Sequence, residues 1–220
     1  MTDEGPREGP DAQNRARLVL QMRQNGIHDM RVVRVIESVP RRLFVPEHLG
    51  EHAYADRALP IACGQTISQP FIVAYMTQHL DVQEGHKVLE VGMGSGYQTA
   101  VLASLARRVY SVDRYRTLVG TAEARLKELH LSNVTAMVSD GALGWPAQAP
   151  FDRIMVTAAA EQIPPALLNQ LAMGGVMIAP VGAAGEQRLM RFERTAEGIA
   201  EKALLPVRFV PLVPGRAASL

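Results

Sequence analysis

Apolar residues along this chain fall into short runs, and the period of those runs changes from one segment to the next. Near the start the spacing is helical. Leu18, Val19 and Met22 share a face that Asp11 can cap and Asn25-Gly26 ends. Val32, Val33, Val35, Ile36 and Val39 predict a second helix from about Asp29, stopped by Pro40. A third helix, FIVAYMTQHL, has Pro70 in its first turn and Ser68 or Gln69 as its cap. From Lys87 the pattern alternates between strand and helix. Apolar strands at 87–91, 108–112, 134–138, 152–156 and 176–181 are separated by helices at 97–106, 117–129 and from Pro164-Pro165 through Leu171. Gly174-Gly175 leads into the last of those strands. QRLMRFE (187–193) alternates and 207–213 is rich in β-formers, so antiparallel strands close the fold.

Strands alternating with helices predict an α/β fold, a doubly wound and mostly parallel Rossmann-like sheet. Residues 1–10 read as a disordered tail, polar after Met1. Residues 11–220 read as one domain: an N-terminal helical cap and active-site loop over 11–70, then the Rossmann-like core over 71–220. The cap helices are too small to bury a core alone.

Composition narrows the partners. The 220 residues carry 23 basic and 22 acidic side chains, a formal charge of +1, which gives no electrostatic case for nucleic acid. A single cysteine, Cys63, excludes an internal disulfide and a Cys-rich zinc site. No apolar run approaches membrane length and the start is polar, so a soluble, cytoplasmic protein with no membrane partner is expected.

The chemistry centres on KVLEVGMGSG, residues 87–96. A buried strand, a glycine turn and a helix place main-chain N–H groups and a positive helix end at one spot. Alone, such a cluster is an ordinary tight turn. The dinucleotide fingerprint wants its third glycine at position 97, which is Tyr97, and Glu90 stands where it can face a ligand's ammonium. Asp113 ends the next strand, where ribose hydroxyls are held. S-adenosylmethionine therefore fits better than NAD. Gly92, Asp113, Asp140 and Thr157 all fall at carboxyl ends of strands, the ligand side of this architecture.

Two other features compete. His48-Leu49-Gly50-Glu51-His52 spells the H-x-x-E-H of inverted zinc proteases. On a helix the two histidines could bind zinc with Glu51 as base, but Gly50 and Pro46 argue for a single exposed turn, and no metal is expected. Cys63 reads as a packing residue, since no histidine lies near in sequence to lower its pKa. The run Gln65–Gln69 is polar enough to face a ligand.

GQTISQPFIVAYM (64–76), VLEVGMGSGYQTAVLA (88–103), SDGALGWPAQAPFDRIMVTAAAEQIPPALL (139–168) and VRFVPLV (207–213) resemble the protein-L-isoaspartate O-methyltransferase family. The likeness covers nearly all the chain beyond residue 15. It implies methyl transfer from S-adenosyl-L-methionine to the carboxylate of L-isoaspartyl residues in damaged proteins and peptides, and a methyl ester that collapses to succinimide. It implies that Ser68 is the active-site serine. Thr66 and Ile67, Glu90, the turn Gly92-Met93-Gly94-Ser95-Gly96, Asp113 with Arg114, and Asp140-Gly141 would hold the cofactor. Ser68, Thr157, Ala158, Ala159 and Val181 would meet the substrate. The chain departs from the family at Met93, usually Thr or another small residue, at Asp113, usually Glu, and at Ser139, usually Gly. Another S-adenosylmethionine enzyme on the same scaffold, and a metal-dependent hydrolase using residues 48–52, are the alternatives.

Overall fold

The computed structural model describes residues 10–217. The tail expected at 1–10 lies, but for Pro10, outside them. Helix α1 (Pro10–Gln24) precedes α2 (Met30–Ser38), which Asp29 caps by accepting from the Arg31 N–H. Two 3-10 turns follow, Arg41–Phe44 and Glu47–His52. A short antiparallel ribbon, β1 (Leu59–Pro60) with β2 (Thr66–Ile67), leads into α3 (Pro70–Leu80).

The rest alternates as the pattern predicts: β3 (Lys87–Val91), α4 (Tyr97–Ala103), β4 (Arg108–Asp113), α5 (Arg116–Glu128), β5 (Val134–Val138) and β6 (Phe151–Val156). It ends with α6 (Pro165–Asn169), β7 (Leu171–Val181), β8 (Arg188–Thr195) and β9 (Gly198–Pro206). The seven-stranded sheet has the order β5-β4-β3-β6-β7-β8-β9. Its first five members are parallel, and β8 and β9 add antiparallel. The order reverses beside β3, which makes the carboxyl end of β3 the natural ligand position.

Alternation along β3 divides the core. Val88 packs with Met76, Leu80 and Leu102 on the face carrying α3 and α4, whereas Leu89 and Val91 pack with Phe151, Leu167 and Met177 on the other. A further cluster seats α1, α2 and the 3-10 turns on α4 and α5 through Phe44, Val73, Tyr97 and Ala122. Phe44 meets Tyr97 edge to face at 5.5 Å between centroids.

Three expectations are corrected. The helix expected to reach Leu171 stops at Asn169, and the strand begins before the glycines rather than after them. Gly174 and Gly175 sit in a bulge between the Phe151–Leu171 and Arg153–Val176 pairs, where a Cβ on Gly175 would stand 2.7 Å from the Ala172 carbonyl oxygen. Residues 207–213 are not a regular strand. Pro211 lacks an N–H, and the segment makes one bridge, to Ala159, while β9 lies just before it. β9 escaped notice because it is an edge strand whose residues are nearly all exposed or half-buried, without alternation.

His48 and His52 are exposed on a 3-10 turn, where positions four apart diverge by about 120° instead of sharing a face. Among the described residues, no group of three or more His, Cys, Asp or Glu is placed to hold a metal ion. No helix among them is long and apolar enough to cross a membrane.

Gly96 is where α4 meets α5. Its φ is +88°, and an added Cβ would lie 2.9 Å from the Ala122 Cβ. Gly96→Ala should cost about 1–3 kcal/mol of stability. Gly85→Ala, which meets nothing within 4 Å, should stay within about 0.5 kcal/mol of wild type. Urea denaturation of both variants checks the contrast, and equal losses would contradict this packing.

Candidate functional site

The carboxyl ends of β3, β4 and β6 open into a cavity of about 540 Å³. A smaller compartment of about 170 Å³ adjoins it and shares Gln65, Gly92 and Asp113 as lining. The glycine turn forms one wall. Gly92, Gly94 and Gly96 all have positive φ, at +95°, +54° and +88°. The Gly92 N–H donates to the Val112 carbonyl at 2.8 Å, and the Gly94 N–H donates to Asp113 Oδ2 at 2.8 Å. Asp113 Oδ1 accepts from the Tyr115 N–H at 3.0 Å. The carboxylate thus ties the turn to the start of α5 while still lining both compartments. Burial raises its pKa, and the N–H donors of Gly94 and Tyr115 oppose that rise. Met93 and Ser95 are buried and line the same wall.

The second wall is the loop from β2 to α3. Thr66, Ile67, Ser68 and Gln69 all line the cavity. Neither Ser68 nor Gln69 caps α3 with its side chain. Asp56, a dozen residues earlier, accepts from the Phe71 N–H at 2.8 Å and from Gln69 Nε2 at 3.0 Å. The helix end is satisfied from outside, which leaves the Ser68 hydroxyl available to the cavity.

Thr157 and Ala158 form the floor. The Thr157 hydroxyl donates toward the Gly92 carbonyl at 2.7 Å, and its oxygen occupies the space a Gly92 Cβ would need. Ala159 and Val181 do not line either compartment. Ala159 instead pins the segment that does, donating its N–H to the Val210 carbonyl at 2.8 Å and accepting from the Leu212 N–H at 2.7 Å. Val181 ends β7 and bridges to Ala160. Gly141 and Arg114 line the smaller compartment. A Cβ on Gly141 would stand 2.7 Å from Val91 Cγ1, so only glycine fits. Asp140 accepts from the Ala142 N–H at 2.9 Å and closes its own 3-10 turn.

Glu90 is the main correction. Its position in β3 points it to the face under α4, not to the cavity. The side chain is fully buried, and Oε2 accepts from Thr99 Oγ1 and Ser111 Oγ, both at 2.5 Å, while Oε1 has no partner. Burial pushes its pKa up to about 8. At neutral pH it is a neutral internal acid rather than an anion awaiting an ammonium.

Residues 206–210 close the cavity, and sequence reasoning did not assign them to it. The side-chain amide of Gln187 holds Phe209 by both main-chain groups, at 2.6 Å and 3.2 Å. A lone glutamine just before an alternating strand carries no sequence signal for that. Tyr97 and Gln98 also line the cavity from the first turn of α4.

The lining contains no His, Lys or Cys. Cys63 stands nearby at φ +59°, with its thiol pushed up by burial and by Asp113, so it is not a thiolate. Such a site can bind, orient and exclude water, but it offers no strong base.

Residues 13–217 match the family model described as Protein-L-isoaspartate(D-aspartate) O-methyltransferase. The chain is 59% identical over 208 residues to the protein-L-isoaspartate O-methyltransferase of Parvibaculum lavamentivorans, covering 93% of this chain and 94% of that protein. Its fold aligns at TM-score 0.80 and 25% identity with a Plasmodium falciparum protein assigned to the same activity and solved with S-adenosyl-L-homocysteine, covering 91% of this chain and 98% of that one. A further solved protein-L-isoaspartate O-methyltransferase aligns at TM-score 0.79 and 26% identity over 90% of this chain, which spans 65% of that longer one.

Glu90 makes stability depend on pH. The folded chain keeps a proton there up to about 8, whereas an unfolded glutamate releases it near 4.5. Stability therefore falls as pH rises through that window. Glu90→Gln should flatten the fall, matching wild type near about pH 5 and exceeding it near about pH 8 in urea titrations. Parallel curves for the two proteins would contradict it.

Proposed function

The chain belongs to the protein-L-isoaspartate O-methyltransferase family, and on that premise we propose which of its residues carry the reaction. The enzyme moves a methyl group from S-adenosylmethionine to the carboxylate of L-isoaspartyl residues in damaged proteins. The resulting methyl ester, next to a main-chain amide, closes to a succinimide, which opens the way to repair.

The residues around the cavity fit this cofactor. The positive-φ turn lets a ligand approach the main chain closely, and Asp113 lines both compartments with acceptor capacity left for ribose hydroxyls. Gly141 and Arg114 would flank the adenine in the smaller compartment, and Thr66 and Ile67 would lie along the methionine side. Asp140, whose Oδ1 accepts from the Ala142 N–H, would hold the adenine side together with Gly141. When bound, the cofactor supplies an electrophilic methyl group on a sulfonium, open to in-line displacement by a carboxylate oxygen.

The single observation that carries the reading is a lining without a base beside a serine free of capping duty. A carboxylate is already ionised at neutral pH, with an ordinary pKa of about 3–4. The site has to align it and keep water out. Ser68 donates its hydroxyl to the substrate carboxylate and orients it. Thr157 and Ala158 close the floor, and residues 206–210 cover the substrate side. A near-balanced charge supports a protein substrate over nucleic acid, and we assign the protein to the cytoplasm.

One peptide made in isoaspartyl and normal aspartyl forms tests the activity: the first should be methylated and the second not. Ser68→Ala should lower kcat by ~10–1,000-fold with unchanged cofactor affinity. Its melting temperature should barely move, because α3 is capped by Asp56. A lower melting temperature with unchanged kcat would remove Ser68 from the catalytic role.

A further inference from the structure

Arg41 is the largest fully buried side chain, with no exposed surface, yet no carboxylate pairs with it among the described residues. Its Nε donates to the Ala53 carbonyl at 2.8 Å and its Nη2 to the Ser68 carbonyl at 2.8 Å. Its Nη1 is buried without a partner, and the guanidinium stacks over the Tyr97 ring at 4.8 Å. Asp56 acts on the guanidinium only from beyond ion-pair distance, so burying the cation is costly, and an apolar side chain of similar size would fill the space at less expense. What the guanidinium adds over such a side chain is two directed bonds, one of them to the main chain of Ser68.

Asp56 holds the same loop from the other side, through the Phe71 N–H and the Gln69 amide. Both charged residues come from the segment between α2 and α3. Between them the Ser68 peptide is fixed by its carbonyl, by the Gln69 side chain and by the Phe71 N–H. Tyr97, under the guanidinium, opens α4 directly after the glycine turn and lines the cavity. One cation therefore touches both walls of the site without entering it. Desolvation pulls Arg41 down to about 10, so it stays charged at neutral pH and its grip does not titrate.

We propose that Arg41 and Asp56 are positioning residues for methyl transfer, which together fix the Ser68 loop and so aim its hydroxyl into the cavity. The proposal rests on the assignment of Ser68 to the substrate carboxylate. Neither residue touches the reacting atoms. Their effect passes through Ser68, which separates them from residues that merely hold the fold.

The test measures kcat with an isoaspartyl peptide, and S-adenosylmethionine affinity by calorimetry without peptide. The proteins are Arg41→Lys and Asp56→Ala, each made in the wild-type and in the Ser68→Ala background. Each single variant should lower kcat by roughly 5–50-fold while cofactor affinity stays within about twofold. In the Ser68→Ala background the same substitutions should cost less than about twofold, because the group they aim is gone. Equal losses in both backgrounds would overturn the proposal and leave Ser68 catalytic. A silent Ser68→Ala would instead remove the serine assignment, and the proposal with it. Loss of cofactor affinity in parallel with kcat would also overturn it. Asp56 is half-buried on a loop, so its cycle decides the matter even if Arg41→Lys does not fold.

Discussion

The carboxylate of Asp113 accepting the Gly94 N–H joins the end of β4 to the turn after β3. Everything at the site is placed relative to that bond. β3 is the middle one of the five parallel strands, and its turn has left-handed main chain at three positions, a conformation that glycine adopts readily and other residues only at a cost. The Val112 carbonyl takes the Gly92 N–H and the Thr157 hydroxyl covers the Gly92 carbonyl. Neighbouring strands thus hold the turn from both sides. The cost of a mostly buried acid is offset by main-chain donors from Gly94 and Tyr115. The same acid then faces the cavity, so structural and ligand-binding duties meet in one group.

Polar groups buried behind the site follow a common logic. Glu90 with Thr99 and Ser111 links β3, α4 and β4 under the turn. Arg41 links the cap segment, the Ser68 loop and Tyr97. Each stiffens a wall of the cavity from the dry side. Hydrogen bonds in such surroundings are directional and strong when satisfied, which suits a reaction that needs alignment more than proton transfer.

The alternating core was legible because buried strands write continuous apolar runs and helices write a 3.6 period. Asp113, Asp140 and Thr157 were legible as strand ends of a doubly wound sheet, the turn by its glycines, and Gly141 only through the family resemblance. Glu90 was misread because sequence spacing does not say which face of β3 a residue takes. Pleat alternation and the hydroxyls of Thr99 and Ser111 decide that. The segment 206–210 was missed as cavity lining because it is held through its own main chain, by the Gln187 side-chain amide and by Ala159, which leaves no pattern in its side chains. Arg41 was invisible for a related reason. One of two adjacent arginines in an irregular stretch reads as a surface residue until the fold closes over it.

The central claim is that this cavity catalyses by aligning an already ionised carboxylate, with no general base. The pH dependence of kcat on an isoaspartyl peptide, at saturating S-adenosylmethionine, tests that most directly. The account predicts a change of less than about twofold between roughly pH 5.5 and 7.5, because the carboxylate has lost its proton below that range and no lining group must lose one within it. A rise of about tenfold per pH unit across the same interval would reveal an essential base and contradict the account.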